Sequence, residues 1–83
     1  MKTTSKARYA LYLVVDIARY QDAGPVALRE TAERLYISLK YLEQIATELN
    51  KSGYLKSVRG AQGGYLLARE AADISAGDIM RSA

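Results

Sequence analysis

The feature that most constrains the fold is an amphipathic stretch in the middle of the chain, residues 38–51. Its apolar residues recur at spacings of three and four, which is the period of one face of an α-helix. They are Leu42, Ile45, Ala46 and Leu49. Ser38 is a favoured N-cap residue, and Gly53 is a favoured C-terminal stop. The pattern therefore predicts a helix over 38–51 that buries this apolar face.

The opposite face of the same helix is polar and carries cationic and amide side chains. It comprises Lys40, Gln44, Thr47 and Lys51, with Tyr41 and Glu43 on its two flanks. A Gln amide can bond two atoms of one base edge, and a Lys ammonium can reach a phosphate or a guanine. A helix with this outer face is able to enter a DNA major groove. The alternative for the helix taken alone is an ordinary amphipathic surface helix.

A first helix is predicted at 5–21, ending before Gly24 and Pro25, which both oppose continuation of a helix. Apolar residues cover most of its circumference, and Leu11 and Val15 extend them to the side away from the expected core. The remaining polar strip is formed by Arg8, Tyr12, Asp16 and Arg19. Such a helix is expected to carry a partner chain or a further helix on its second side. The alternative is that Leu11 and Val15 are singly exposed apolar residues.

A second helix is predicted at 28–35, and only a short connection separates it from the helix at 38–51. Its inner face is Leu28, Thr31, Ala32 and Leu35, and its charged outer face is Arg29, Glu30, Glu33 and Arg34. Two helices joined this closely form a helix-turn-helix, in which the first crosses the DNA backbone and the second reads the groove. Short helical hairpins also occur in proteins that never touch nucleic acid, so this motif alone does not decide the function.

A β-hairpin is predicted at 54–68, because apolar and polar residues alternate over its first five positions and strand-compatible residues follow its Gly-rich loop. Helix, helix, helix and hairpin is the order of a winged helix-turn-helix, a mainly α fold with a small β-hairpin as its wing. Arg59 lies at the base of the wing tip, where a guanidinium can enter the narrow minor groove. A phosphate-binding loop is disfavoured, since no Lys-Ser or Lys-Thr follows the glycines and no helix starts there.

The amino-acid composition of the chain excludes several classes of function. The chain has 83 residues, 49% of them hydrophobic, which suffices for one small domain but not for a spacious active-site cleft. Its 12 Lys and Arg against 9 Asp and Glu give a net charge of +3, which suits a polyanionic partner. Cys and His are both absent. We therefore expect no metal site, no iron-sulfur cofactor held by this chain and no enzymatic activity.

The remaining segments complete one predicted domain, residues 1–83. Asp16 and Arg19 interrupt the apolar run that starts at Tyr9, so we predict neither a secretory signal nor a membrane span and expect a cytoplasmic protein. A last helix is predicted at 75–82, where Ser75 precedes Asp78 in a pattern like a capping box. Because this helix is short, we expect it to dock on the first helix or to continue into a longer one.

Four segments of the chain form a distinctive series: 5–11 (SKARYAL), 37–44 (ISLKYLEQ), 58–61 with 63–65 (VRGA and GGY) and 77–79 (GDI). In this order they resemble the Rrf2 family of bacterial winged-helix regulators. The resemblance covers essentially the whole chain. It implies a homodimeric repressor or activator that binds a pseudo-palindromic operator in double-stranded DNA.

The resemblance and the residues together define a predicted DNA-binding set. Carried over by position, Ser38, Lys40, Tyr41, Glu43 and Gln44 would face the major groove and its phosphates, and Arg59 with Gly60 would serve the minor groove. Phosphate contacts are predicted for Lys6, Tyr41 and Lys51, and sequence discrimination for Lys40, Glu43, Gln44 and Arg59. A carboxylate repels DNA unless it accepts from a cytosine amino group or orients a donor, so Glu43 is predicted to act as a selectivity filter.

The sequence departs from the family pattern at Ala7, where Gly is usual, at Ala27, where a capping Ser or Thr is frequent, and at Tyr36. Tyr36 occupies a turn position that commonly holds a small or polar residue, and it is strained if that turn has a positive φ. Family members usually continue beyond a position like Ala83 with a cysteine cluster and a long dimerisation helix. The chain is therefore expected to be an N-terminal DNA-binding fragment or a shortened version.

Two hypotheses of different classes follow from the sequence. The first is a sequence-specific DNA-binding transcriptional regulator that acts as a dimer, with the helix at 38–51 in the major groove and the wing in the minor groove. The alternative is a winged-helix protein-interaction or dimerisation module, which docks through the apolar first helix and has no specific DNA binding.

Overall fold

The computed structural model describes residues 5–68. Within this range the elements are helix α1 (Ser5–Tyr20), a 3-10 turn (Gln21–Ala23), helix α2 (Leu28–Leu35), helix α3 (Leu39–Lys51), strand β1 (Leu55–Val58) and strand β2 (Gly64–Leu67). The two strands are antiparallel neighbours. This order confirms the predicted winged helix-turn-helix. The helix predicted at 75–82 lies outside the described residues.

The hydrophobic core lies between α1, α3 and the base of the wing. Leu13 and Ile17 of α1 pack in one buried cluster with the four apolar residues predicted on α3. All four of these, Leu42, Ile45, Ala46 and Leu49, are at most 1% exposed. Helical periodicity thus places the buried face of α3 correctly. On α1, Leu11 is half-buried and packs against the same cluster, whereas Val15 is 54% exposed.

The segment before α2 joins the wing through an isolated β-bridge. Val26 and Tyr65 form an antiparallel bridge, in which the N–H of each donates to the carbonyl oxygen of the other at 2.9 Å. Gly64 lies against this segment so closely that a Cβ at this position would overlap the Val26 carbonyl group. The wing is therefore fastened to the helical body through its second strand.

Asp16 belongs to the predicted polar strip of α1, but its side chain is buried. The residue is 6% exposed and accepts hydrogen bonds from two side chains of α2. Thr31 Oγ1 donates to its Oδ2 at 2.6 Å, while Arg34 donates from Nε to Oδ1 at 2.8 Å and from Nη2 to Oδ2 at 2.7 Å. A buried carboxylate is tolerated only when it is paired and hydrogen-bonded in this way.

Arg34 was likewise assigned to the charged outer face of α2, but its side chain is only 30% exposed. Its guanidinium carbon lies 4.1 Å from the centroid of the Tyr20 ring, a cation–π geometry. Burial by itself raises the pKa of Asp16. The hydrogen bonds from Arg34 and Thr31, with the charges of Arg34 and Arg19, outweigh burial and hold this pKa below its ordinary value. Asp16, Thr31 and Arg34 thus form a salt-bridged and hydrogen-bonded cluster that connects α1 to α2.

Candidate nucleic-acid interface

The N-terminus of α3 is closed by the side chain predicted to cap it. The Oγ of Ser38 accepts a hydrogen bond from the Tyr41 N–H at 3.1 Å, and the Ser38 carbonyl accepts from the Leu42 N–H at 3.0 Å. Ser38 has an extended backbone with ψ at 132°, which is typical of an N-cap residue. The cap fixes where the helix starts and thereby sets the register of its outward-facing side chains.

The outer face of α3 is a continuous polar surface. Its exposed members are Lys40, Glu43, Gln44, Thr47 and Lys51. Lys40, Gln44 and Lys51 are spaced by four and seven residues, so they form one row along the helix. Thr47 Oγ1 donates to the Glu43 carbonyl oxygen at 2.8 Å, which commits that hydroxyl proton to the helix backbone. The lysine and glutamine donors and the Glu43 carboxylate are the groups on this face that can reach a ligand.

Tyr41 differs from the other predicted site residues because it is half-buried. Its ring packs edge-to-face on Tyr9 of α1 with a centroid distance of 6.0 Å, and Tyr9 packs in the same manner on Tyr12 at 5.7 Å. Such contacts orient an aromatic ring while leaving the hydroxyl end free to reach outwards. Tyr41 is therefore a positioned side chain on the flank of α3.

Lys6 lies in the first turn of α1, and its ammonium group has a partner within the protein. Lys6 Nζ is 2.6 Å from Glu48 Oε1, and both side chains are partly exposed. The ion pair connects the start of α1 to the second half of α3. A salt bridge with this exposure contributes little to stability and leaves two ammonium protons for other acceptors.

The wing loop holds the two remaining predicted residues, Arg59 and Gly60, and both are exposed. Gly60 has a φ of 115°, a conformation that residues with a Cβ rarely adopt, and its carbonyl accepts from the Gly63 N–H at 3.0 Å. Arg59 is the last residue before this turn. The structure thus groups six predicted residues on α3 and its cap, joins Lys6 to that helix through Glu48, and places Arg59 and Gly60 on a separate loop.

Two exposed residues near the start of α3 were not included in the predicted site. Tyr36, in the connection from α2, is 97% exposed, and Leu39, the first residue of α3, is 40% exposed. Tyr36 has φ 55° and ψ 47°. The turn therefore has the positive φ at which a tyrosine is expected to be strained. The signal was present in the sequence as an aromatic residue at a turn position.

Other kinds of site find little support in residues 5–68. This part of the chain contains no group of three or more His, Cys, Asp or Glu side chains that could hold a metal ion. A shallow groove is lined by Tyr12, Val15, Asp16, Arg19 and Leu35, without a paired nucleophile and base. None of the described helices has the length and apolar character that crossing a bilayer requires.

Comparison with known proteins gives consistent matches along the chain. The model of the Rrf2 family, described as an iron-dependent transcriptional regulator, matches residues 3–83. The HTH-type transcriptional regulator IscR of Escherichia coli (strain K12 / DH10B) is 48% identical over 80 residues, which are 96% of this chain and 49% of that protein. The chain spans about half the length of the curated relatives it matches.

Two solved structures are similar over 99% of this chain. The global cysteine regulator CymR of B. subtilis superimposes with a TM-score of 0.94 at 40% identity, and this chain covers 64% of it. The T. potens IscR superimposes with a TM-score of 0.91 at 49% identity, and this chain covers 60% of it. An IscR regulator thus appears in both the sequence and the structure comparison.

Proposed function

Since the chain belongs to the Rrf2 family of transcriptional regulators, we propose that it forms the DNA-binding domain of a sequence-specific transcriptional regulator. The observation that carries the proposal is the exposed row of Lys40, Gln44 and Lys51 on α3, whose start is fixed by the Ser38 cap. A capped helix with forked and cationic donors on its outer face suits insertion into a major groove.

We assign recognition of the DNA base sequence to side chains in the first half of α3 and in the wing. Gln44 donates and accepts on one base edge, and Lys40 donates to a guanine or a phosphate. Glu43 accepts from a cytosine amino group and opposes guanine and thymine, whose major-groove edges present acceptors and no donor, which makes it the selectivity filter of the helix. Arg59 enters the minor groove, and the left-handed turn at Gly60 lets the loop follow the groove.

Phosphate contacts are assigned to Lys51, Tyr41 and Lys6. Lys51 is exposed in the last turn of α3, and Tyr41 is held on its flank by Tyr9. Lys6 keeps two ammonium protons besides the one directed to Glu48. Contacts of this kind set the register of the protein on the duplex and carry no sequence information by themselves.

The operator is proposed to be pseudo-palindromic and read by a homodimer in the cytoplasm. The exposed side of α1, with Val15 and Tyr12 as its large apolar residues, supports a second chain or a further helix packed on this surface. The alternative function, a module that only binds proteins, is favoured by this same surface. DNA binding without preference for any sequence would support that alternative.

The family description names iron, and the donor set of this chain does not fit an iron site. The sequence contains neither Cys nor His, and residues 5–68 hold no cluster of potential metal ligands. Thiolates and imidazoles are the usual protein ligands of iron-sulfur clusters. We propose that residues 1–83 bind DNA without a cofactor of their own.

The proposal is tested by selecting bound duplexes from random DNA and then measuring binding by fluorescence anisotropy across a range of salt concentrations. Gln44→Ala is expected to cost about 1–3 kcal/mol on the selected sequence and much less on random duplex. Lys51→Ala is expected to weaken binding to both duplexes equally and to lower the salt slope by about one. Arg19→Ala removes the same charge from α1 and serves as the control.

Three outcomes would contradict these assignments. Failure to select any sequence would reject the proposed function. Equal losses on both duplexes for Gln44→Ala would remove Gln44 from the base-reading residues. A salt slope that is as strongly affected by Arg19→Ala as by Lys51→Ala would reject a specific phosphate contact at Lys51.

A further inference from the structure

Tyr36 is the most exposed of the large hydrophobic residues in the described part of the chain. It occupies the turn between α2 and α3, and it is 97% exposed. Burying an aromatic side chain stabilises a fold, but this ring buries almost nothing. No hydrogen bond or ring contact of its side chain is found within residues 5–68. The side chain of Tyr36 therefore does not contribute to packing of the domain.

The backbone of Tyr36 adds a cost. Its φ of 55° and ψ of 47° are left-handed, and the backbone N–H groups of Tyr36 and Ile37 both donate to the Ala32 carbonyl oxygen to end α2. This closure requires the left-handed conformation, which Gly and Asn adopt more readily than an aromatic residue. The fold thus demands the backbone conformation but gains nothing from the tyrosine ring.

The position of Tyr36 in the chain places its ring close to the start of α3, the helix proposed to enter the major groove. It lies two residues before the Ser38 cap, a separation that the chain can stretch to no more than about 7 Å. Leu39 and Lys40, which follow the cap, are also exposed. When the second helix of a helix-turn-helix enters the major groove while the first crosses the backbone, the turn between them lies at the edge of the groove. That edge is formed by sugar and phosphate.

We propose that Tyr36 is a DNA-contacting residue, whose hydroxyl donates to a phosphate oxygen and whose ring lies against the adjacent deoxyribose. The inference rests on the proposed DNA-binding function and adds the turn between α2 and α3 to its contact surface. Tyrosine hydroxyls are among the side-chain groups that bind phosphate oxygens in protein–DNA interfaces. Such a contact adds affinity on every duplex, since the sugar–phosphate backbone is the same for all sequences.

The experiment separates stability from binding. Tyr36→Asn retains a residue that tolerates the left-handed turn and removes the ring, so its melting temperature is expected to rise by about 3–6 °C. Its affinity is expected to fall roughly 5- to 10-fold on the selected operator and equally on random duplex, because the solvent-exposed hydrogen bond to phosphate and the contact of the ring with deoxyribose are both lost. Tyr36→Phe loses only the hydrogen bond, so it is expected to keep the wild-type melting temperature and to lose about 3-fold in affinity. The salt slope should not change in either variant, since neither alters a charge.

Tyr20→Phe at the end of α1 is the matched control, because it removes a tyrosine hydroxyl away from α3, keeps the ring that lies over Arg34 and is expected to bind as wild type. A Tyr36→Asn variant that melts higher and binds with wild-type affinity would overturn the inference. So would a loss of affinity accompanied by a lower melting temperature, since the loss would then follow from damage to the fold. Wild-type protein that binds no duplex would instead reject the proposed function, so the two failures are distinguishable.

Discussion

Replacing Arg34 by Met removes both guanidinium hydrogen bonds from a carboxylate that is 6% exposed, at 2.7 and 2.8 Å. Removing one partner of a fully buried ion pair costs about 3–5 kcal/mol, because the other charge is left without compensation. Arg34 is 30% exposed, so solvent already screens part of the pair. We therefore expect Arg34→Met to lower the free energy of unfolding by about 2–3 kcal/mol.

Substituting Asp16, the other partner of the ion pair, is expected to destabilise the fold less than substituting Arg34. Asp16→Asn keeps an oxygen that accepts from the buried Thr31 hydroxyl, and the half-buried Arg34 can turn towards water. About 1–2 kcal/mol is expected for the loss of one charge-assisted contact. In the Asp16→Asn background, Arg34→Met no longer leaves a buried charge unpaired. The double variant should therefore be less destabilised than the sum of the single variants, with a coupling of at least about 1 kcal/mol.

The cost of Asp16→Asn depends on pH with a defined sign. The pKa of Asp16 is lowered in the folded state despite burial, because Arg34 and Thr31 hydrogen-bond to the carboxylate. A carboxylate of this kind stabilises the fold above its unfolded pKa, which is about 3.9, and the contribution is lost as the pH falls through the lower folded value. The difference between wild type and variant should be constant from pH 7 to about 5 and should shrink in stronger acid.

Urea and thermal denaturation followed by circular dichroism measure these differences, with a shift in melting temperature of about 4–8 °C for each kcal/mol in a domain of this size. Arg29→Met, an exposed site on the same helix, is the control and should lie within about 0.5 kcal/mol of wild type. An Arg34→Met variant as stable as this control would refute the reasoning. An Asp16→Asn deficit that grows on acidification would refute the direction of the pKa shift.

Two further substitutions test the packing of the wing and the start of α3. Gly64→Ala places a methyl group against the Val26 carbonyl and is expected to cost about 1–3 kcal/mol by separating Val26 from Tyr65; unchanged slow amide exchange at both bridge residues would contradict this. Ser38→Ala removes the acceptor of the Tyr41 N–H and is expected to cost about 1 kcal/mol, with faster amide exchange at Tyr41. An exchange rate equal to that of wild type would show that the cap is not needed.

Local patterns in the sequence are sufficient to predict the described helices, the hairpin and the exposed face of α3 in the candidate site. The spacing of Leu42, Ile45 and Leu49 predicts which side of α3 is buried, and the opposite side, with Lys40 and Gln44, follows from the same rotation per residue. The choice of these residues as DNA contacts stays a prediction. Helical periodicity relates residues three or four positions apart on one helix. It can therefore predict which side chains share a face, but it cannot predict which other element or ligand contacts that face.

The tertiary structure alone decides the contacts between elements. Asp16 meets Thr31 and Arg34 because of the way α1 and α2 cross, and Val26 pairs with Tyr65 because the wing folds back beside the start of α2. These partners are 15 to 39 residues apart in the chain, as the numbering states. A helical wheel places Asp16 on a polar strip because it counts polarity on one helix, whereas burial of a charge depends on a compensating charge from another helix. The sequence thus determines which elements form, and packing determines which polar groups those elements enclose.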